Sequence, residues 1–160
     1  MFRSTLASIL LLIAAATAAP SLAHAENLVA RCAKVGDDDK TKPICPATLV
    51  PKARELFGFS PQTPNAIIRK GTSYRCMGGK AWLCNVGANL VCGKANAAQS
   101  LPGATAFCKD NPGSDVVPMA ATGHDTIFEW KCVGPNAQIV RQVVTVDSRG
   151  FIAENWKPLD

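Results

Sequence analysis

The alternation of apolar and polar positions is clearest in the C-terminal third of the chain. Residues 128–132 place Phe, Trp and Cys alternately with Glu and Lys, which is the period of a strand with one buried face. Residues 138–146 are rich in Val and Ile, residues 147–150 have the composition of a turn, and residues 151–156 are again largely apolar. This pattern predicts a three-stranded antiparallel meander.

Earlier in the chain, residues 67–92 have the composition of strands and turns. Within them, residues 72–76 and 81–84 flank Gly78-Gly79, which favours a tight hairpin because glycine readily adopts positive φ. Residues 90–92 are expected to add a short third strand.

Two segments have the pattern of short helices. Residues 48–58 carry a proline near their start, a glycine at their end and apolar residues three and four positions apart. In residues 100–108, Pro102 stands near the start, and Asn111-Pro112-Gly113 ends the helix beyond them. Helices and strands together predict an α+β fold, a small antiparallel sheet of about five strands with two short helices.

Residues 1–25 have the features of a secretory signal peptide. Arg3 precedes an apolar run, and Ala23-His24-Ala25 matches the small-x-small pattern of a cleavage site. The apolar run is shorter than the roughly 20 residues of a membrane-spanning helix, and no later segment is long and apolar enough. We therefore expect a periplasmic or secreted protein without a membrane span, made of an N-terminal arm (26–46) and one small domain (47–160).

Seven cysteines follow the predicted cleavage site, and this density in an exported chain indicates a fold stapled by disulfides. We expect the bridges Cys32–Cys45, closing the arm, and Cys92–Cys108, with the other cysteines unassigned. The odd number leaves one thiol over, which allows a covalent dimer. No C-x-x-C occurs and the spacings fit no zinc site, so neither a metal nor a cofactor is expected. The unassigned cysteines are Cys76, Cys84 and Cys132.

The charge pattern narrows the choice of partners. The net charge is a modest +5, and no Lys/Arg run with interleaved aromatic residues occurs, so a nucleic-acid partner is not expected. A protein or an anionic envelope polymer fits better. Residues 37–39 are three successive aspartates, but they lack the spacing of a calcium loop, and we interpret them as a solvated acidic loop.

After signal cleavage His124 is the single histidine, which excludes metal sites and mechanisms that need two imidazoles. With Asp125 it is a candidate general base for a nearby Cys92 or Cys108. Glu129 and Glu154 are a candidate carboxylate pair for glycoside cleavage. The alternative for residues 123–125, which we favour, is a polar turn in which Asp125 bonds its own backbone.

Aromatic side chains are the candidate binding residues. Tyr74 and Trp82 lie in the predicted hairpin, where an exposed aromatic ring would anchor an interface or a glycan. The alternative is that both rings pack in the core.

Several segments resemble a group of uncharacterised, small, cysteine-rich exported bacterial proteins: Tyr74-Arg75-Cys76, residues 84–96, residues 122–124 and residues 147–152. The resemblance covers about residues 47–158. It implies a bacterial, periplasmic or secreted setting and brings no activity or site residues. The Tyr-x-Cys element at 74–76 is also similar to one in the lysozyme-inhibitor domains of bacterial envelopes.

Three functions follow as hypotheses. The first is a binding or interaction module of the cell envelope without catalytic activity, with inhibition of a hydrolase as its specific form. The second is a small hydrolase or thiol-dependent enzyme that uses a free cysteine with His124. The third is a disulfide-linked oligomeric structural protein.

Overall fold

Two antiparallel sheets organise the computed structural model, which describes residues 20–44, 47–87 and 91–159. The helices in these residues are α1 (Pro20–Val35), α2 (Val50–Phe57), α3 (Asn65–Gly71), α4 (Pro102–Asp110) and α5 (Met119–Thr122). The strands are β1 (Asp38–Pro43), β2 (Thr72–Met77), β3 (Lys80–Asn85), β4 (Phe128–Val133), β5 (Asn136–Gln142) and β6 (Lys157–Pro158). Single 3-10 turns form at Ala47–Leu49 and Ala153–Asn155. The predicted α+β class is confirmed.

The larger sheet has the strand order β1-β2-β3-β6, and β4 and β5 form the second sheet. Strands β2 and β3 pair from Thr72–Asn85 to Met77–Lys80, which leaves Gly78-Gly79 as the turn. Both glycines have positive φ, where an L side chain would be strained. The predicted hairpin and the two predicted helices, α2 and α4, are confirmed.

The two faces of the larger sheet are covered by different parts of the chain. Tyr74 and its cross-strand partner Leu83 belong to the core that forms with helices α1, α2 and α3. The next pair, Arg75 and Trp82, lies on the opposite face, because side chains alternate along a strand. Residues 151–156 cover that face.

The β4–β5 hairpin has a small core of its own. Helix α4 packs Cys108 and its other apolar residues against Trp130 and Cys132. The outer edge of β4 is covered by residues 114–117, since the Val117 amide donates to the Trp130 carbonyl and the Cys132 amide to the Ser114 carbonyl, at 2.9 and 2.7 Å.

The disulfides differ from those expected from the sequence. The predicted Cys32–Cys45 and Cys92–Cys108 bridges are wrong, because α1 packs against the sheet, the loop after β3 returns to its own strand, and α4 lies on β4. Cys45 lies outside the described residues, and every other cysteine of the chain is paired. The bridges are Cys32–Cys76, Cys84–Cys92 and Cys108–Cys132.

The strands are divided between two sheets instead of forming one sheet of about five, and the predicted third strand of the meander does not pair with β5. Instead, Phe151 and Trp156 pack beneath the larger sheet, and β6 pairs with β3. Residues 67–71, predicted as strand, belong to α3, where Ile68 is buried against the core. The predicted strand at 90–92 falls partly outside the described residues, and Val91 and Cys92 are not in a strand.

The segment predicted as an N-terminal arm is packed into the core. Cys32 is fully buried, and β1 pairs with β2. The three aspartates are not a freely solvated loop: Asp37 accepts a hydrogen bond from the Gly78 amide, Asp38 pairs with Lys42, and Asp39 binds two further cations. Residues 1–19 of the predicted signal peptide lie outside the described residues, and α1 spans its predicted cleavage site.

Candidate functional site

The candidate site is a cleft of about 560 Å³ between the β4–β5 hairpin, the segment that contains α5, and the C-terminal segment. We call it the hairpin cleft. Three parts of the chain that are distant in sequence form its walls. The lining residues used below are Val116, Met119, His124, Glu129, Trp130, Arg141, Val143, Ile152 and Glu154.

The walls of the hairpin cleft are largely apolar. Trp130 and Ile152 are buried and form its inner surface. Val116, Met119 and Val143 lie at its mouth, and each is about half exposed. Exposed aliphatic side chains gathered around one concave surface are typical of a place where a ligand or another protein binds.

Charged groups lie on the rim of the cleft. The Arg141 Nε donates to Glu129 Oε2 at 2.7 Å, and both side chains are partly exposed. Strand β5 has one extra residue, Val140, between the pairs Trp130–Ile139 and Glu129–Arg141. Such a bulge bends a strand and redirects its side chains. Successive side chains of a strand normally point to opposite faces. Here Trp130 and its charged neighbour Glu129 both line the cleft.

His124 also lines the cleft, and it is exposed. No hydrogen bond joins it to Asp125 in the described part of the chain. The Asp125 carboxylate turns back toward Gly123, where a Cβ would come within 2.6 Å of Oδ1, and Gly123 has a φ of +87°. Only glycine fits there without strain.

The proposed Cys–His pair is wrong for both cysteines named from the sequence. Cys92 and Cys108 are in disulfides, so neither offers His124 a thiolate. Glu129 and Glu154 do line the same cleft as His124, but Glu129 is engaged with Arg141. The cleft therefore has an apolar surface for contact with a ligand and charged side chains that can select the ligand's charge.

Comparisons with protein-family models, with curated proteins and with solved structures find no match to the chain. The resemblance to a group of exported bacterial proteins therefore stays a prediction.

Tyr74 and Trp82 do not form a common site. They lie on opposite faces of the larger sheet, and each is partly buried against a core cluster. The Trp82 indole donates to the Met77 carbonyl at 3.2 Å, so its polar atom is already satisfied within the protein. Neither residue lines the hairpin cleft.

Sequence reasoning missed the role of Arg75. Its side chain is fully buried, and its guanidinium lies 4.0 Å from the Phe151 ring centroid and 4.7 Å from that of Trp156. It pairs with Asp147, while its Nε and Nη1 have no acceptor in the described residues. In the sequence, only the Tyr-Arg-Cys element marks this position, and nothing in it indicates burial.

The Asp147 carboxylate joins this pair to the C-terminal turn. Burial alone would raise its pKa, but hydrogen bonds from the amides of Phe151 and Arg149 and from the Arg75 guanidinium together lower the pKa below 3.8. Asp39 binds the Arg149 Nε at 2.9 Å and the Lys94 Nζ at 3.0 Å. The hydrogen bond from Arg149, followed by that from Lys94, lowers the pKa of Asp39.

Two further observations concern only residues 20–44, 47–87 and 91–159. These residues contain no group of three or more His, Cys, Asp or Glu side chains that could hold a metal ion. None of their helices has both the length and the apolar character needed to cross a membrane.

Proposed function

We propose that the chain is an exported binding module of the cell envelope, without catalytic activity, that holds an apolar segment of a partner protein in the hairpin cleft. The observation that carries this proposal is the set of half-exposed aliphatic side chains at the mouth of an apolar cleft, Val116, Met119 and Val143. Burial of these side chains on binding would contribute favourable free energy.

The rim indicates the chemistry of the bound segment. Glu154 is exposed at the cleft and has no cation within 4 Å among the described residues, and Glu129 is paired with Arg141. Two carboxylates against one guanidinium favour a segment that carries a basic residue beside its apolar one. Inhibition of a hydrolase is the specific form in which the partner is an enzyme of the envelope.

The disulfides favour binding over catalysis. Six of the seven cysteines are paired, including both that would have served His124 as nucleophile. In this arrangement His124 is a polar group on the rim, with neither Cys92 nor Cys108 free to serve as its nucleophile. Three disulfides are also typical of a protein that works in an oxidising compartment.

A matched pair of substitutions tests the cleft. Val143→Asn places a polar amide in the cleft, and Val133→Asn places one at a valine of similar exposure, 52% against 46%, outside it. The probe is a short peptide of alternating leucine and lysine, followed through the change in tryptophan fluorescence, since Trp130 lines the cleft. We expect Val143→Asn to weaken binding about tenfold or more, because the amide loses its water without gaining a partner.

The outcome with Val133→Asn decides the interpretation. Wild-type affinity in this variant supports the cleft. Equal weakening in both variants, or equal binding of a leucine–glutamate peptide, would contradict the proposal. Inhibition of a purified cell-wall hydrolase that is lost only with Val143→Asn would establish the inhibitory form.

Export is tested separately by intact mass. A chain that begins at Glu26 and is recovered from the periplasm or medium supports it. An unprocessed chain retained in the cell would contradict it.

A further inference from the structure

A second exposed surface, separate from the hairpin cleft, lies around helix α3. Helix α3 buries Ile68 in the core and presents its neighbours outward. Ile67 is 60% exposed, and Arg69 and Lys70 are exposed beside it. The Val86 amide donates to the Gly71 carbonyl at 2.8 Å, which holds Val86, itself 53% exposed, next to the end of the helix. We call these four outward residues the α3 patch.

The cations of the patch have no ionic partner within the described residues. No carboxylate there lies within 4 Å of Arg69 or Lys70. The acidic groups of the adjoining elements β1 and α2 are already engaged: Asp38 with Lys42, Asp39 with Lys94 and Arg149, and Glu55 with Lys52. The positive charge of the patch is therefore available to an external anion.

The two cations also border a shallow depression. Its volume is about 590 Å³, and its floor is formed by Pro43, Ile44 and Ala66. A depression with an apolar floor and two cations at its side matches an amphipathic anion, which has a charged head and an apolar portion.

We infer that the α3 patch docks the protein on a membrane surface that contains anionic phospholipids. Arg69 and Lys70 would bind the lipid phosphates, and Ile67 and Val86 would enter the boundary between headgroups and acyl chains. A soluble polyanion would use the cations but would gain nothing from the exposed aliphatic side chains. The combination of both therefore favours a lipid surface.

This inference does not depend on the proposed function. The hairpin cleft and the α3 patch share no residue, so each can fail while the other holds.

Vesicle co-sedimentation tests the patch. The wild-type chain is compared on vesicles of phosphatidylcholine alone and of equal parts phosphatidylcholine and phosphatidylglycerol. We expect binding to the anionic vesicles only. Arg69→Gln/Lys70→Gln should lose roughly thirtyfold in affinity, because each cation near an anionic surface raises the affinity about fivefold. The matched control, Lys109→Gln/Lys157→Gln, removes the same charge from α4 and β6 and should retain wild-type binding.

A second variant separates a lipid surface from a soluble polyanion. Ile67→Ser/Val86→Ser keeps every charge and should weaken vesicle binding about tenfold through lost apolar contact. Loss of binding in this variant and in the Arg69/Lys70 variant, but not in the lysine control, supports the inference. Equal loss in the control, full vesicle binding in Ile67→Ser/Val86→Ser, or binding of polyphosphate to the wild-type chain as tight as its binding to anionic vesicles would overturn it.

Discussion

The larger sheet and the β4–β5 hairpin share several structural features but differ in how far those features are buried. Each contains a hairpin, a disulfide to a packed helix and an arginine–carboxylate pair. In the sheet the arginine, Arg75, is sealed between aromatic rings and its carboxylate partner Asp147 is 11% exposed. In the hairpin the side chains of Arg141 and Glu129 are 69% and 37% exposed. One region is closed on both faces, and the other leaves a face open.

This difference assigns stability to one region and binding to the other. A buried ion pair is costly to disturb, because removal of one member leaves an uncompensated charge away from water. An exposed pair holds little folding free energy and remains available to a ligand. The C-terminal turn extends the closed network, since Asp147 reaches β2 and Arg149 reaches β1 through Asp39.

The largest expected effect tests the two ion pairs against each other. Arg75→Ala should lower the free energy of unfolding by about 3–5 kcal/mol, because Asp147 loses its partner and the aromatic cage is left empty. Arg141→Ala, the matched control, should cost about 0.2–1 kcal/mol. Urea denaturation followed by circular dichroism measures both.

Similar losses in the two variants would break the comparison. A small effect of Arg75→Ala would mean that burial of the guanidinium nearly cancels the gain from its contacts. In that case Arg75→Met/Asp147→Asn, which keeps the volume and removes both charges, would be at least as stable as the wild type.

Removal of a disulfide should give the next largest loss in the free energy of unfolding. Replacing Cys32 and Cys76 by alanine opens a loop of 44 residues and should cost about 4 kcal/mol. Replacing Cys108 and Cys132 opens a loop of 24 residues and should cost about 3.5 kcal/mol. Hydrogen exchange is the sharper measurement for the second variant: amides of β4 and β5 should lose protection while those of β2 and β3 keep theirs.

That pattern would establish the hairpin as a separately opening unit. Loss of protection in both sheets at once would contradict it, and would show that the two regions unfold as one.

The features that could be predicted from the sequence are those set by neighbouring residues. The β2–β3 hairpin depends on Gly78-Gly79, and α2 and α4 depend on their own prolines and apolar spacing. These signals act within a few residues, so no knowledge of the rest of the fold is needed. The α+β class follows from them.

Distant contacts could not be predicted in the same way. Cys32 pairs with Cys76 only because α1 packs across the sheet, and nothing near Cys32 in sequence indicates that position. Residues 151–156 have the composition of a strand, yet burial of Phe151 and Trp156 around Arg75 places them under the other sheet. The hairpin cleft was missed for the same reason, since its walls come from three separate segments.

The smallest expected effect is the loss of folding stability at low pH, and this loss should also distinguish the two regions. The carboxyls whose pKa is lowered, Asp38, Asp39 and Asp147, all belong to the sheet and its C-terminal turn. A carboxyl with a lowered pKa in the folded state contributes stability above its unfolded pKa of 3.8, and this contribution is lost as the pH falls through the folded value. We therefore expect the urea midpoint to fall on acidification below pH 3.8.

Asp147→Asn isolates the part of this loss that comes from the buried pair. At neutral pH the variant should be less stable than the wild type, because Arg75 lacks its counter-charge, and the gap between the two should shrink as Asp147 of the wild type becomes protonated. Asp39→Asn should show a smaller gap of the same sign, since its ion pairs are more exposed and are screened by water. A gap for Asp147→Asn that is constant with pH would show that the aspartate acts through packing and not through charge. Arg75 would then be held by the aromatic cage and not by its counter-charge, and the contrast between Arg75 and Arg141 would be one of burial and not of pairing.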